Sequence, residues 1–275
     1  MDKEIMGPGG QIHVDDNGSS DGLPVVFIHS FAGSSEHWSN QLDHLRARRR
    51  AIALDLRGHG QSEAKSDDDL TIDDLADDIG TVVDELGLEC MALVGHSIGG
   101  SAAIAYAGEH PDKVAGLLLV GTPGRMAMQQ SDQVLSAMSS DYDETMASYW
   151  DRLLTDATPA TRSRVERERQ SMSQPSATAF IRASFAYDPM PALREFPGVV
   201  MTVTVGDSPA DLHKQLPDAP DASVTGTSHW VQLDQPDAFD RILDTFLARV
   251  DEADVDRLPG GAPPPIAAGA GTAGR

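Results

Sequence analysis

Short apolar runs alternate with amphipathic stretches along most of this chain. Leu23 to Ile28 (LPVVFI) is an apolar run preceded by the turn-rich DDNGSSDG, the pattern of a central strand. A second strand is predicted at Arg50 to Leu54, and between the two Trp38, Leu42 and Leu45 recur at helical spacing. Leu75, Ile79, Val82, Val83 and Leu86 then line one helical face, with Thr71 placed as its N-cap. A strand at Met91 to Val94 leads into the small-residue helix SAAIAYAGEH, and further strands are predicted at Val114 to Val120 and Val199 to Val205. The last helix carries Phe239, Ile242, Leu243, Phe246, Leu247 and Val250 on one face, with Pro236 at its start.

Parallel strands need crossover connections, so strands alternating with helices predict a doubly wound, mostly parallel α/β sheet with helices on both faces. Residues 122–195 break the rhythm, being polar, methionine-rich and helical in character between two strands. The expected organisation is therefore a core in two parts, residues 1–121 and 196–251, an inserted helical lid at 122–195, and a disordered tail at 252–275. The tail includes PGGAPPPIAAGAGTAGR, which cannot build a core.

Composition narrows the function. The chain has 275 residues and a formal net charge of −22. Such a charge disfavours nucleic acid and anionic membranes, because phosphate binding needs clustered Lys and Arg. Acidic runs such as Asp67-Asp68-Asp69 fit a solvated surface. They also motivate a hypothesis of adaptation to a salty cytosol, which predicts folding or activity that depends on molar salt. No continuous apolar stretch follows basic residues near the N-terminus, and the longest apolar runs are strand-sized, so a soluble cytoplasmic protein is expected. The single cysteine, Cys90, excludes an intrachain disulfide and fits that compartment. No spacing of histidine, cysteine and carboxylates resembles a metal site.

The stretch Met91-Ala92-Leu93-Val94-Gly95-His96-Ser97-Ile98-Gly99-Gly100 puts a serine at the junction of a buried strand and a helix of small residues. That is the pattern of a nucleophile elbow. In so tight a turn, side chains two residues to either side would collide with neighbouring backbone, which explains Gly95 and Gly99. The position lies at the carboxyl end of a central strand, where open α/β sheets bind ligands. The Ile98 amide opens the helix, where unpaired N–H groups and the dipole favour an anion, so it is a candidate oxyanion donor.

From Leu23 to Val250 the chain resembles the α/β-hydrolase fold family, in particular its small cofactor-free esterases and non-haem haloperoxidases. The resemblance rests on FIHSFAGSSEHW, DLRGHGQS, VGHSIGG and SHWVQLDQPDAF. It implies that Ser97 is the nucleophile and that His229, in the position of the family's histidine, is the general base. It also implies a second oxyanion donor, the Phe31 amide, although the family usually has glycine where this chain has Ser30. The acid that orients the imidazole should follow the strand Val199 to Val205. Asp207 fits the order nucleophile, acid, base; Asp211 competes, because the position at which the family often carries an aspartate is Pro209 here. His29, His59 and His96 read as structural.

The function these readings imply is hydrolysis of a small to medium carboxylic ester or lactone through an acyl-enzyme, with no cofactor and with a small ester-like molecule as partner. Activity should fall as pH drops through the pKa of that histidine, ~6.5 if its surroundings leave it unperturbed. Two alternatives remain at this stage: a carbon–carbon bond hydrolase of the same layout, and a ligand-binding or signalling module with a vestigial triad. The six methionines of the insertion, with Tyr142, Tyr149, Trp150, Phe180, Phe185 and Tyr187, suit either an adaptable apolar pocket or packing of the insertion onto the body.

Overall fold

The computed structural model describes residues 1–64, 70–205 and 211–257. Eight strands form one sheet: β1 (Asp2–Gly7), β2 (Gly10–Gly18), β3 (Val25–Ile28), β4 (Arg50–Leu54), β5 (Met91–His96), β6 (Val114–Val120), β7 (Val199–Thr204) and β8 (Asp221–Ser223). Their order is β1-β2-β4-β3-β5-β6-β7-β8. Only β1 against β2 and β2 against β4 run antiparallel; β4, β3, β5, β6, β7 and β8 are parallel neighbours.

The helices are α1 (Ser39–Leu45), α2 (Ile72–Glu85), α3 (Ile98–Glu109), α4 (Met128–Ser140), α5 (Tyr142–Leu153), α6 (Pro159–Gln170), α7 (Gln174–Ala186), α8 (Met190–Glu195), α9 (Leu212–Gln215), α10 (Val231–Asp234) and α11 (Pro236–Arg257). The period-2 alternation of a strand divides the core into two layers. Val26 and Ile28 of β3 pack with α2 and α3 on one face, while Val25 and Phe27 pack with α1, α10 and α11 on the other. This is the doubly wound α/β sheet that the hydrophobic pattern predicts.

Thr71 caps α2 as expected, accepting from the Asp74 amide while Asp74 reaches back to the Thr71 amide. In α11 Phe239, Leu243, Phe246, Leu247 and Val250 are buried. Helix α3 has no polar face: every residue from Ile98 to Ala107 is buried, which its glycines and alanines allow by letting α2 and α8 approach closely.

Three features depart from the sequence reading. The N-terminal hairpin β1–β2 was not among the predicted elements; its charged positions mask the alternation, although Ile12 and Val14 are buried and a GPGG turn joins the strands. Strand β8 is only three residues long and carries no apolar run. Helix α11 continues to Arg257, so residues 252–257, expected to be disordered tail, are helical: the polar DEADVDR continues a helix already nucleated by its buried upstream face.

Helices α4 to α8 lie between β6 and β7. Met138, Met146, Trp150, Phe180 and Met190 are buried in a layer continuous with the sheet, so most of these methionines and aromatics serve packing. Met128, 79% exposed, does not.

Candidate active site

Ser97 joins β5 to α3 with φ 54° and ψ −120°, a sparsely populated backbone conformation costing about 1–3 kcal/mol. The surroundings enforce it. Its N–H donates to Val120 O at 2.8 Å, and its carbonyl accepts from the Gly100 amide at 2.9 Å. A methyl group at Gly95 would fall 2.5 Å from Gly100 Cα; at Gly99 it would run into the carbonyl oxygens of His29 and Ile28; at Gly100 it would meet Thr122 Oγ1. Strand end, helix start and the neighbouring loop are thus in backbone contact, and Ser97 is left half-buried at the rim.

Ile98 is the first residue of α3, where an N–H has no partner within the helix. Phe31 follows β3 in a turn closed by Gly33 N–H donating to Ser30 O at 3.0 Å, and among the described residues its own N–H makes no hydrogen bond. Two donors are thereby left unpaired beside the elbow. Ser30 holds the position usual for glycine in the resembling family; its Oγ is buried and has no hydrogen-bond partner among the described residues.

His229 sits in the loop before α10. A methyl on Gly121, the residue after Val120, would lie 2.8 Å from His229 Cε1 and would also strike Val205. The imidazole therefore rests on the backbone that follows Val120, whose carbonyl receives the Ser97 amide. Among the described residues no hydrogen bond joins Ser97 Oγ to the ring; without a bound substrate such bonds are often long or poorly aligned. His96 and Trp230 also face the ring, with centroids 4.6 Å and 5.3 Å away. Part of the residue's surface is open, yet burial of the ring, helped by the Arg152 charge, lowers its pKa to about 4. The ring thus lies below the ordinary histidine value, because desolvation disfavours the imidazolium.

The other histidines of the motifs, His29, His59 and His96, each bind backbone. His29 Nδ1–H donates to Ser30 O at 2.7 Å, and its Nε2 accepts from Leu56 N–H at 2.9 Å. The Ala32 amide donates to His59 Nε2, and His59 Nδ1–H to Arg57 O, both at 3.0 Å. His96 Nε2–H donates to His229 O at 2.9 Å, while its Nδ1 accepts from Gln232 Nε2 at 3.1 Å. Each ring with one donating and one accepting nitrogen is neutral. Burial holds His29 and His96 well below the usual histidine range. The loop containing His59 is tied down further by Arg57, whose buried guanidinium grips both carboxylate oxygens of Asp78 at 2.6 and 2.8 Å.

Asp207 falls within 206–210 and so lies outside the described residues. Asp211 begins α9: its Oδ1 accepts from the His213 amide at 3.0 Å and its backbone pairs with Pro123. That carboxylate is engaged in capping its own helix.

Sequence reasoning did not anticipate the aromatic cover. Trp150 of α5 is 4% exposed and stacks between Phe31, at 5.5 Å, and Trp230, at 6.2 Å, bridging the segment expected to carry the oxyanion donor and the histidine loop. A cavity of about 370 Å³ opens between Ala32–Glu36, Gly58–Gln61 and the end of α6; Ser97, Phe31, Trp150 and His229 do not line it. Among the described residues no group of three or more His, Cys, Asp or Glu could hold a metal ion, and no helix is long and apolar enough to cross a membrane.

A mostly parallel sheet with a strained serine at the end of a central strand defines an α/β hydrolase in architecture. The profile of the alpha/beta hydrolase fold matches residues 24–191, and the chain belongs to that family. Among curated relatives it is 35% identical to the 2-hydroxymuconate semialdehyde hydrolase of Pseudomonas sp. (strain CF600) over 125 residues, 44% of each chain. The first six such relatives are matched over 26% to 44% of their own lengths, so the chain spans less than half of each. Among solved structures, Est816, described as an N-acyl homoserine lactone degrading enzyme, superposes with a TM-score of 0.73 at 24% identity over 89% of this chain and 100% of its own. A bromoperoxidase from Bacillus anthracis does so with a TM-score of 0.77 at 19% identity over 90% of this chain and 100% of its own. At these identities the structural likeness is one of fold.

Proposed function

We propose that the protein is a serine hydrolase that cleaves a small to medium carboxylic ester or lactone through an acyl-enzyme. The observation that carries this reading is the left-handed Ser97 at the strand–helix turn, with the His229 imidazole resting on the backbone that follows Val120.

In this mechanism neutral His229 takes the Ser97 proton as Oγ attacks the carbonyl carbon. The tetrahedral oxyanion is held by the amides of Phe31 and Ile98. His229 then gives its proton to the leaving alcohol oxygen, and water, deprotonated by the same ring, releases the acid and restores Ser97. The orienting acid comes from the segment after β7. Val205, just past β7, and His229 abut the same Gly121. Asp207 is the stronger choice, since Asp211 caps α9. With the imidazole pKa at about 4, the base stays unprotonated through mildly acidic pH, and the rate falls as pH drops through about 4.

A fluorophosphonate probe tests the reading: it should label the wild type and not Ser97→Ala, and the wild type should turn over p-nitrophenyl acetate, butyrate or octanoate, or a lactone, repeatedly. Absence of labelling, or one turnover only, would replace the reading with a vestigial binding module. A carbon–carbon bond hydrolase is the second reading, favoured by the likeness to the semialdehyde hydrolase. A higher kcat/KM for a vinylogous diketone than for any ester would select it.

A further inference from the structure

The backbone of His229 is held from outside its own loop. Its N–H donates to Leu153 O, at the end of α5, at 3.0 Å, and its carbonyl accepts from His96 at the elbow. The residues just before it converge on one carboxylate. Asp234 Oδ2 accepts from the Ser228 amide at 2.8 Å, from Ser228 Oγ at 2.5 Å and from Thr227 Oγ1 at 3.3 Å. The other oxygen, Oδ1, accepts from the amide of Thr158, the N-cap of α6, at 2.9 Å. Burial pushes the Asp234 carboxyl up, and hydrogen bonds from Ser228, Thr158 and Thr161 outweigh it, leaving the group ionised and below its ordinary pKa. One side chain therefore fastens both the histidine loop and the start of α6.

We propose that Asp234 is a positioning residue that couples the inserted helices α5 and α6 to the His229 imidazole. The inserted segment then does more than cover the site: where α5 and α6 sit, the base sits, because Leu153 O and the Thr158 amide bracket its loop. The inference rests on the assignment of His229 as general base, and its physical core, the coupling itself, can be read without turnover.

The described titratable groups facing the ring are His96 from β5 and Arg152 from α5. Asp234 reaches it only through Ser228 and the backbone. Removing Asp234 has two opposed consequences. Loss of a negative charge alone lowers the imidazole pKa; release of the loop admits water to the ring and raises it toward the ordinary value. The proposal expects the second to win.

The test is the NMR titration of the His229 ring in the full chain, together with steady-state kinetics. In Asp234→Ala the ring pKa should rise from about 4, with kcat lowered about 100-fold and KM changed only a few-fold, as for a displaced catalytic group. Thr158→Pro against Thr158→Ala supplies a subtler pair. Both lose the Thr158 hydroxyl cap, but only proline loses the amide to Asp234, and the native φ of −61° already suits proline. The ring pKa should rise more in Thr158→Pro than in Thr158→Ala. An unchanged or lowered pKa in Asp234→Ala, or equal titrations in the Thr158 pair, would overturn the coupling. A wild type that titrates as described but hydrolyses nothing would instead overturn the function proposed above and leave the coupling standing.

Discussion

The elbow and the histidine loop reach the same rim of the sheet by opposite means. Ser97 is held by side chains that are missing: Gly95, Gly99 and Gly100 let a strand end, a helix start and the carbonyls of Ile28 and His29 press together until the left-handed turn is the remaining path. His229 is held by groups that are present: its neighbours Trp230 and Asp234, and, from far along the chain, the His96 ring, Leu153 O of α5 and the Thr158 amide at the start of α6. A nucleophile needs a fixed direction, which sterics give. A base needs a controlled environment, which only assembled neighbours give.

The largest effect that would test this contrast is chemical. His229→Ala should lower kcat toward p-nitrophenyl acetate by roughly 10⁴–10⁶-fold with circular dichroism unchanged, since the ring is the general base of the proposed mechanism. A fall of tenfold or less would mean that another group serves as base.

Acid should act next, and on stability. His29, His96 and His229 are depressed in the fold, so each is protonated in the unfolded chain below its ordinary value while the folded form resists. Their contribution is complete above pH ~6.5 and is lost as pH falls from there toward the folded values, at up to about 1.4 kcal/mol per pH unit for each ring. Urea midpoints measured from pH 7.5 to 5 should decline steeply across that window; a flat profile would show that the rings are charged in the folded protein.

Trp150→Ala removes the stack between Phe31 and Trp230 and should cost about 3–5 kcal/mol by denaturant unfolding, with KM altered more than kcat. Gly99→Ala attacks the other region, driving a methyl into carbonyl oxygens that cannot move apart; about 3 kcal/mol is expected, with loss of fluorophosphonate labelling where the fold survives. The smallest effect is Ser30→Ala. Deleting a buried hydroxyl without a partner should leave stability unchanged or raise it by up to about 1 kcal/mol, read as a shift in Tm. A clear loss would mean that the hydroxyl is bonded in solution.

The contrast also explains how far the sequence could be read. The elbow is written in ten consecutive residues whose glycine spacing has a steric meaning, and the central strands are apolar runs that no helix period fits. Ser97 and Ile98 follow from local chemistry, and His229 and Phe31 from the resemblance of their loops. Asp234 stands in the same SHWVQLDQP stretch, but nothing local says that its second oxygen meets Thr158, 76 residues away. Trp150 is likewise one aromatic among several until α5 is folded over Phe31. Strands β1 and β2 escaped because β1, at the sheet edge, and β2 beside it carry the charges and turns that also mark loops. Asp207 and Asp211 stay distinguishable only by their surroundings, since both follow β7 at short range.

The rings of His29, His59 and His96 carry a consequence for where such a molecule can work. They clamp the loops around the serine through uncharged donor–acceptor pairs, and the Arg57–Asp78 ion pair beside them is sealed from solvent. Dissolved ions weaken attraction between exposed charges and scarcely touch contacts of this kind. The strongly anionic exterior can therefore respond to brine or to dilute medium, gaining or losing counterions, while the reacting groups keep their alignment.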